Sequence, residues 1–176
     1  MPDIDFHIRV RDDRIAGDNP FRWEKKASAD LFRGRRVVLF ALPGAFTPTC
    51  STYQLPGFEG QFEEFKAMGI DDIYCLSVND SFVMNKWALD QNIRKVKVIP
   101  DGSGIFTKQM GMLVDKSNLG FGLRSWRYAA VVQDGLIEAW FEEPGREDRA
   151  TIDPYGITAP ENILRYLQKS ESQAAQ

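Results

Sequence analysis

Apolar residues change rhythm several times along this chain, and each change marks an element. Residues 36–42 read RVVLFAL, almost unbroken apolar, as expected of a strand covered on both faces. After a short loop, Leu55, Phe58, Phe62, Phe65 and Met68 recur at steps of three and four. That spacing predicts a helix from about 49 to 68, with Gly69 ending it. Pro56 lies inside this helix without an N–H to donate, so a kink is expected there. Residues 73–78 and 96–99 are further apolar strands, the second stopped by Pro100-Asp101-Gly102. Between them Asn79, Asp80 and Ser81 can cap a helix through Val83, Trp87 and Leu89. A helical turn fits 104–110. Asp134-Gly135 joins apolar runs at 128–133 and 136–141, which predicts a type I′ hairpin. A last helix fits 160–167, and the tail 171–176 is expected to fray. Near the start, residues 4–10 alternate as a short strand, and Asp30 is a cap candidate for a turn through Leu31 and Phe32.

Strand, helix, strand, helix, strand, hairpin and helix is the order of a mixed sheet between helices, in an α/β fold. The 176 residues suit one domain with one core, and the hydrophobic (43%) and charged (27%) fractions are ordinary for a globular protein. The net charge of −3 argues against a nucleic-acid surface. No apolar run is long enough to span a bilayer. The N-terminus lacks the basic-then-apolar pattern of a signal peptide, so a cytoplasmic location is the expectation.

The two cysteines and single histidine narrow the chemistry. They cannot furnish a Cys/His zinc site. Without Cys-x-x-Cys, thioredoxin-type disulfide exchange is not expected. His7 alternates with Phe6, Ile8 and Val10 and so faces outward from its strand, which leaves no histidine to act as base for a thiol. Cys50 sits where a loop enters a helix. Unpaired N–H groups and the positive end of the helix dipole both favour a thiolate there, and the thiolate is the nucleophile. A lone cysteine after a strand is more often a small buried hydrophobe. Its neighbours change that balance: Thr47 stands one turn earlier with a hydroxyl, Pro43 and Pro48 stiffen the loop, and Gly44 eases the turn. Cys75, in the apolar run Ile73-Tyr74-Cys75-Leu76, reads as a buried strand residue.

Pro43, Thr47 and Cys50 stand in the Pro-x-x-x-Thr-x-x-Cys pattern, inside PGAFTPTCS and followed by LPGF at 55–58. CLSVND at 75–80 and RSWRYAAVVQDG at 124–135 come later in the same order. From about Asp30 to Leu164 the chain resembles the peroxiredoxins, specifically the fifth subfamily with its plant type II enzymes, in a one-cysteine form. The resemblance implies a thioredoxin-like fold and a thiol peroxidase without a cofactor. Cys50 would attack hydrogen peroxide or an organic hydroperoxide. The Cys50 and Thr49 N–H groups and the Thr47 hydroxyl would reach the peroxide, and Pro43 would exclude water. Arg127 would hold thiolate and peroxide, with Arg124 supporting. Phe46, Leu119, Phe121 and Leu123 are candidates for an apolar substrate rim, or else for core packing.

The family's resolving cysteine, where present, lies before the last helix. Here that stretch is 153–160 and contains none. The Cys50 sulfenic acid is therefore expected to be recycled by an outside thiol, from glutathione, glutaredoxin or thioredoxin. The family commonly has histidine four positions after the catalytic cysteine. Gln54 stands there in this chain and keeps hydrogen-bonding capacity without charge. The resemblance also implies a homodimer. A peroxide sensor that relays oxidation from Cys50 to a partner protein is the alternative, since it would use the same chemistry. A redox-inert binding module fits less well, because packing does not call for Pro43, Thr47, Cys50 and Arg127 together.

Overall fold

The computed structural model describes residues 1–174. An N-terminal hairpin comes first, β1 (Asp5–Arg11) against β2 (Phe21–Ala27), antiparallel. His7 is exposed on it, as its alternation predicts. β2 has no counterpart in the hydrophobic pattern, because FRWEKKA mixes charge into both of its faces and none of its residues is fully buried. Next come α1 (Ser28–Phe32) and β3 (Arg36–Ala41). Asp30 does not cap α1. It lies in the helix's first turn, and Ala27 occupies the cap position. Ser28 instead ties down the N-terminus, with its hydroxyl taking the Ile4 N–H and donating to Pro2 O.

The long helix expected over 49–68 is broken into pieces: a π turn (Cys50–Gln54), α2 (Leu55–Gly60) and α3 (Phe62–Ala67). The irregularity lies ahead of Pro56 rather than at it. The Leu55 N–H reaches back to Cys50 O, one residue further than in an α-helix. A proline ring crowds the carbonyl four residues earlier, and a widened preceding turn relieves that clash. The second break falls at Gln61, and Gly69 closes the run in the left-handed region at φ 74°.

β4 (Asp72–Ser77) then leads to α4 (Ser81–Asp90), whose N-cap Asp80 accepts from the Val83 N–H. After β5 (Lys97–Pro100) and α5 (Ile105–Gln109) come two short strands outside the sequence pattern, β6 (Leu113–Asp115) and β7 (Leu123–Ser125), which pair with each other. β8 (Tyr128–Gln133) and β9 (Leu136–Glu142) form the expected hairpin, with Asp134 at φ 48° and Gly135 at φ 78°. α6 (Pro160–Ala174) runs past its expected end at Leu167. The tail predicted to fray is helical through Ala174, and Ala175 and Gln176 lie outside the described residues.

The main sheet has the order β5-β4-β3-β8-β9, parallel on one side of β3 and antiparallel on the other. This is the mixed α/β sheet of the thioredoxin-like class, flanked by helices. β3 is central and buried on both faces, so two apolar clusters form, one on each side. Val38, Phe40 and Leu42 face the α2, α3 and α6 side together with Cys50 and Cys75. Val37, Leu39 and Ala41 face the side of Phe6, Phe32 and Trp126. The C-terminal end of β3 therefore delivers the 43–49 loop and Cys50 to the top of the first cluster. Among the described residues, no helix is long and apolar enough to cross a membrane.

Candidate active site

The helical run begins at Pro48, so the Thr49 and Cys50 N–H groups belong to its first turn and lack carbonyl partners of their own. Cys50 has 0% of its surface exposed. Its sulfur takes a hydrogen bond from Arg127 Nη1 at 3.4 Å. Arg127 sits one residue before β8 and is 1% exposed, which is rare for arginine unless every donor is matched. Nε donates to Pro154 O at 3.1 Å, Nη2 to Asp153 Oδ1 at 2.6 Å, and Nη1 to Gln54 Oε1 as well as to the sulfur. Burial opposes the positive charge. The Cys50 sulfur and the Asp153 carboxylate outweigh it and hold the guanidinium above the ordinary arginine value. The Tyr155 ring lies 5.7 Å from the guanidinium carbon and stacks on Tyr53 of the π turn at 6.3 Å. Burial, with Glu161 adding, pushes the Tyr155 hydroxyl up to about 12 although Arg127 pulls the other way.

Arg124 lies within β7 and does not touch the sulfur. It braces the loop: Nη1 donates to Pro43 O at 3.2 Å, Nε donates to Phe121 O at 3.1 Å, and the guanidinium stacks over the Phe121 ring. Burial lowers its affinity for the proton, while charge on Cys50 acts in the opposite sense. A Cβ on Gly44 would collide with this guanidinium, which explains a glycine beside Pro43. Thr47 packs into the same loop. Its hydroxyl donates to Gly44 O at 2.7 Å, so its one proton closes the turn rather than reaching the sulfur. The rim candidates are not core residues. Phe46 is 51% exposed at φ 62°, Leu119 and Leu123 are exposed, and Phe121 is half-buried on Arg124. Leu123 faces a separate cavity of about 690 Å³ with Ile105 and Leu113.

Cys75 is fully buried in β4 and belongs to the same apolar cluster as Cys50. Both cysteines are free thiols. Burial pushes the Cys75 thiol well above its ordinary value, Cys50 adds to the effect, and Arg127 only partly offsets it. Cys75 is thus held as a neutral thiol, and a neutral thiol is a poor nucleophile.

Sequence reasoning missed Glu143, Thr158 and Trp87 around this pair, and it singled out Gln54 without its burial or its partners. Gln54 is fully buried and bonds Arg127 on one side and Thr158 on the other. Glu143, 2% exposed, takes the Gly156 and Thr158 N–H groups. Trp87 of α4 donates to Ser51 Oγ at 3.0 Å and ties that helix to the π turn. For Gln54 the signal is its place four residues after Cys50, and for Glu143 it is period-two alternation, which puts it on the face of Ala139 and Phe141, which pack on the core.

The redoxin family profile matches residues 24–154. A peroxiredoxin from Rhizobium etli is 62% identical over 96% of this chain and 94% of its own length. Peroxiredoxin-2D of Arabidopsis thaliana is 42% identical over 76% of this chain and 79% of its own. The crystal structure of the Plasmodium falciparum antioxidant protein, described as a 1-Cys peroxiredoxin, superposes with a TM-score of 0.88 at 37% identity, covering 96% of this chain and 97% of that one. With a reactive-site string, a thioredoxin-like sheet and a buried Cys–Arg pair in place, the chain belongs to the peroxiredoxin family, related to its plant type II members, and is a peroxidase that reduces peroxides with thiols.

Proposed function

We propose that Cys50 is the peroxidatic thiol, that Arg127 is its fixed cation, and that the cycle is a one-cysteine cycle completed by an outside thiol. The observation that carries this reading is the 3.4 Å contact of Arg127 Nη1 with the Cys50 sulfur, in a site where both residues are fully buried. The thiolate attacks the nearer peroxide oxygen, the O–O bond breaks, and the electron pair leaves with the distal oxygen as hydroxide or alkoxide. Negative charge moves from sulfur toward that oxygen. In this reading Arg127 and the Thr49 and Cys50 N–H groups supply the donors for the charge as it moves, and preorganised donors of this kind are usually the largest catalytic contribution. Pro43, held by Arg124, limits water beside the sulfur, and Thr47 shapes the turn that carries it. Phe46 and Phe121, exposed or half-exposed near this loop, suit the apolar tail of an organic hydroperoxide alongside hydrogen peroxide itself.

The sulfenic acid then condenses with an external thiol, releasing water and forming a mixed disulfide. A second thiol displaces Cys50 and leaves as the disulfide of the reductant. Glutathione, glutaredoxin and thioredoxin all supply such thiols. The buried, neutral character of Cys75 supports an external rather than internal partner. The test compares Cys50→Ser with Cys75→Ser. The first is expected to abolish peroxide consumption with any reductant, and the second to retain most of it. After one equivalent of peroxide without reductant, intact mass is expected to rise by one oxygen atom. A loss of two hydrogens within one chain would replace this cycle with a Cys50–Cys75 disulfide. Oxidation of Cys50 without turnover by any of the reductants would favour a relay to a partner protein.

A further inference from the structure

Glu143 is a buried carboxylate for which the displacement itself has no use. The hydrogen bonds it accepts come from neutral groups: the Gly156 N–H at 2.8 Å, the Thr158 N–H at 2.8 Å and the Thr158 hydroxyl at 2.9 Å, all on Oε1. The last bond has a directional consequence. A threonine hydroxyl has one proton, and here Glu143 takes it. Toward Gln54, Thr158 can therefore only accept, and Gln54 Nε2 donates to it at 3.2 Å. The amide of Gln54 is thereby oriented with Oε1 toward Arg127, whose guanidinium can only donate. The nitrogen it meets, Nη1, is the one that touches the Cys50 sulfur. Asp153 and Pro154, on the segment that Glu143 pins at Gly156 and Thr158, hold the other two guanidinium nitrogens.

We propose that Thr158 and Glu143 are positioning residues: through Gln54 they form a buried relay of fixed polarity that sets Arg127 Nη1 against the Cys50 sulfur. The proposal rests on the reading that the Cys50–Arg127 pair performs the peroxide step. Neither Thr158 nor Glu143 touches the sulfur, so both act only through where they place the guanidinium.

The test measures Cys50 oxidation by hydrogen peroxide in a single turnover, in the full-length protein. Thr158→Val keeps the side chain's shape and removes the hydroxyl. Thr158→Ser keeps the hydroxyl, Gln54→Met breaks the relay at its other end, and Arg127→Gln removes its target. Circular dichroism and thermal melts check that each variant folds. Should Thr158→Val not fold, Thr158→Ala takes its place in every comparison. Thr158→Val and Gln54→Met are each expected to slow oxidation by about 10- to 100-fold, the scale of a reacting group displaced by around an ångström. Thr158→Ser is expected to restore a rate near that of the unaltered protein. The double variant is expected to be no slower than Gln54→Met alone, because residues in one chain of contacts do not contribute additively. The relay is overturned, with the Cys50–Arg127 reading intact, if Arg127→Gln slows oxidation while Thr158→Val does not. It is also overturned if serine fails to rescue, or if the two losses multiply. An Arg127→Gln variant that oxidises at the unaltered rate overturns the underlying reading and the relay together.

Discussion

Among the described residues Arg127 is the one guanidinium hydrogen-bonded to the Cys50 sulfur, and replacing it with glutamine removes the charge and leaves a shorter, neutral amide. Nη1 lies 3.4 Å from Sγ. Two unit charges at that separation interact by about 5 kcal/mol at an effective dielectric near 20. The full figure does not appear in the rate, because the interaction exists before the displacement as well as during it, and only the portion that strengthens counts. Taking about half gives roughly 2–3 kcal/mol, or about a 30- to 150-fold loss in the peroxide step. Arg124 makes no hydrogen bond to the sulfur, and its Nη1 and Nε hold it on Pro43 O and Phe121 O, so it is not expected to compensate. The fold is expected to survive: Asp153, 44% exposed, can be rehydrated once its partner is gone. The assay is stopped-flow consumption of hydrogen peroxide under excess reductant, with a thermal melt as control. Arg127→Lys, which keeps the charge but cannot bond sulfur, Gln54, Pro154 and Asp153 at once, is expected to fall between the two. A glutamine variant within twofold of the unaltered rate would refute the assignment of charge stabilisation to Arg127. A lysine variant as slow as the glutamine variant would show that geometry, rather than charge, is what the arginine contributes.

Gly44→Ala places a methyl group against the Arg124 guanidinium, a flexible group that can swing away. Peroxide reduction is therefore expected to slow by about as much as in Arg124→Gln, with the fold retained, and an alanine variant at full rate would show that Arg124 does not need its place on Pro43. The Arg36–Glu138 pair predicts a pH signature. Hydrogen bonds from Arg36 hold the Glu138 carboxyl below its ordinary value, against a smaller opposing effect of burial. Its contribution is present above the unfolded-state value and lost as pH falls through the folded-state value. Glu138→Gln is thus expected to cost at most about 1 kcal/mol at neutral pH, given the partial exposure of the pair. That difference should vanish on acidification through the carboxylate range, as followed by denaturant unfolding. A difference that stays constant with pH would mean that the charge of Glu138 is irrelevant.

What could be read from the chain beforehand divides along a physical line. The Asp80 cap, the Asp134-Gly135 turn, the core strand β3 and the placement of Cys50 at a helical start all depend on backbone conformations that neighbouring residues set by themselves. β2, β6 and β7 escaped because their strand character comes from a partner: β2 carries charges on both faces, and β6 and β7 span only three residues each. The π turn was half legible. Pro56 signals that a regular helix cannot pass, but whether the chain kinks at the proline or widens before it depends on what packs against the preceding turn. Here Trp87 bonds Ser51, while Gln54 is held by Arg127 and Thr158.

Glu143 shows why the surroundings of Arg127 were harder to read than Arg127 itself. From the two-residue turn at Asp134-Gly135, Gln133 pairs with Leu136 and Val132 with Ile137. Continued without interruption, that register would bring Glu142 opposite Arg127. A β-bulge follows Val132, so Val131 pairs with Ala139 and Tyr128 with Glu142. The register slides by one residue, and it is the Glu143 N–H that donates to Arg127 O, at 3.1 Å. A slip of one residue exchanges the two faces of a strand. The bulge therefore leaves the Glu142 side chain in exposed contacts with Arg146 and Trp140, and turns Glu143 inward to the segment that holds the guanidinium. Glu142 and Glu143 have the same side chain, and a single extra residue in β9 decides which of them lies across from the buried arginine.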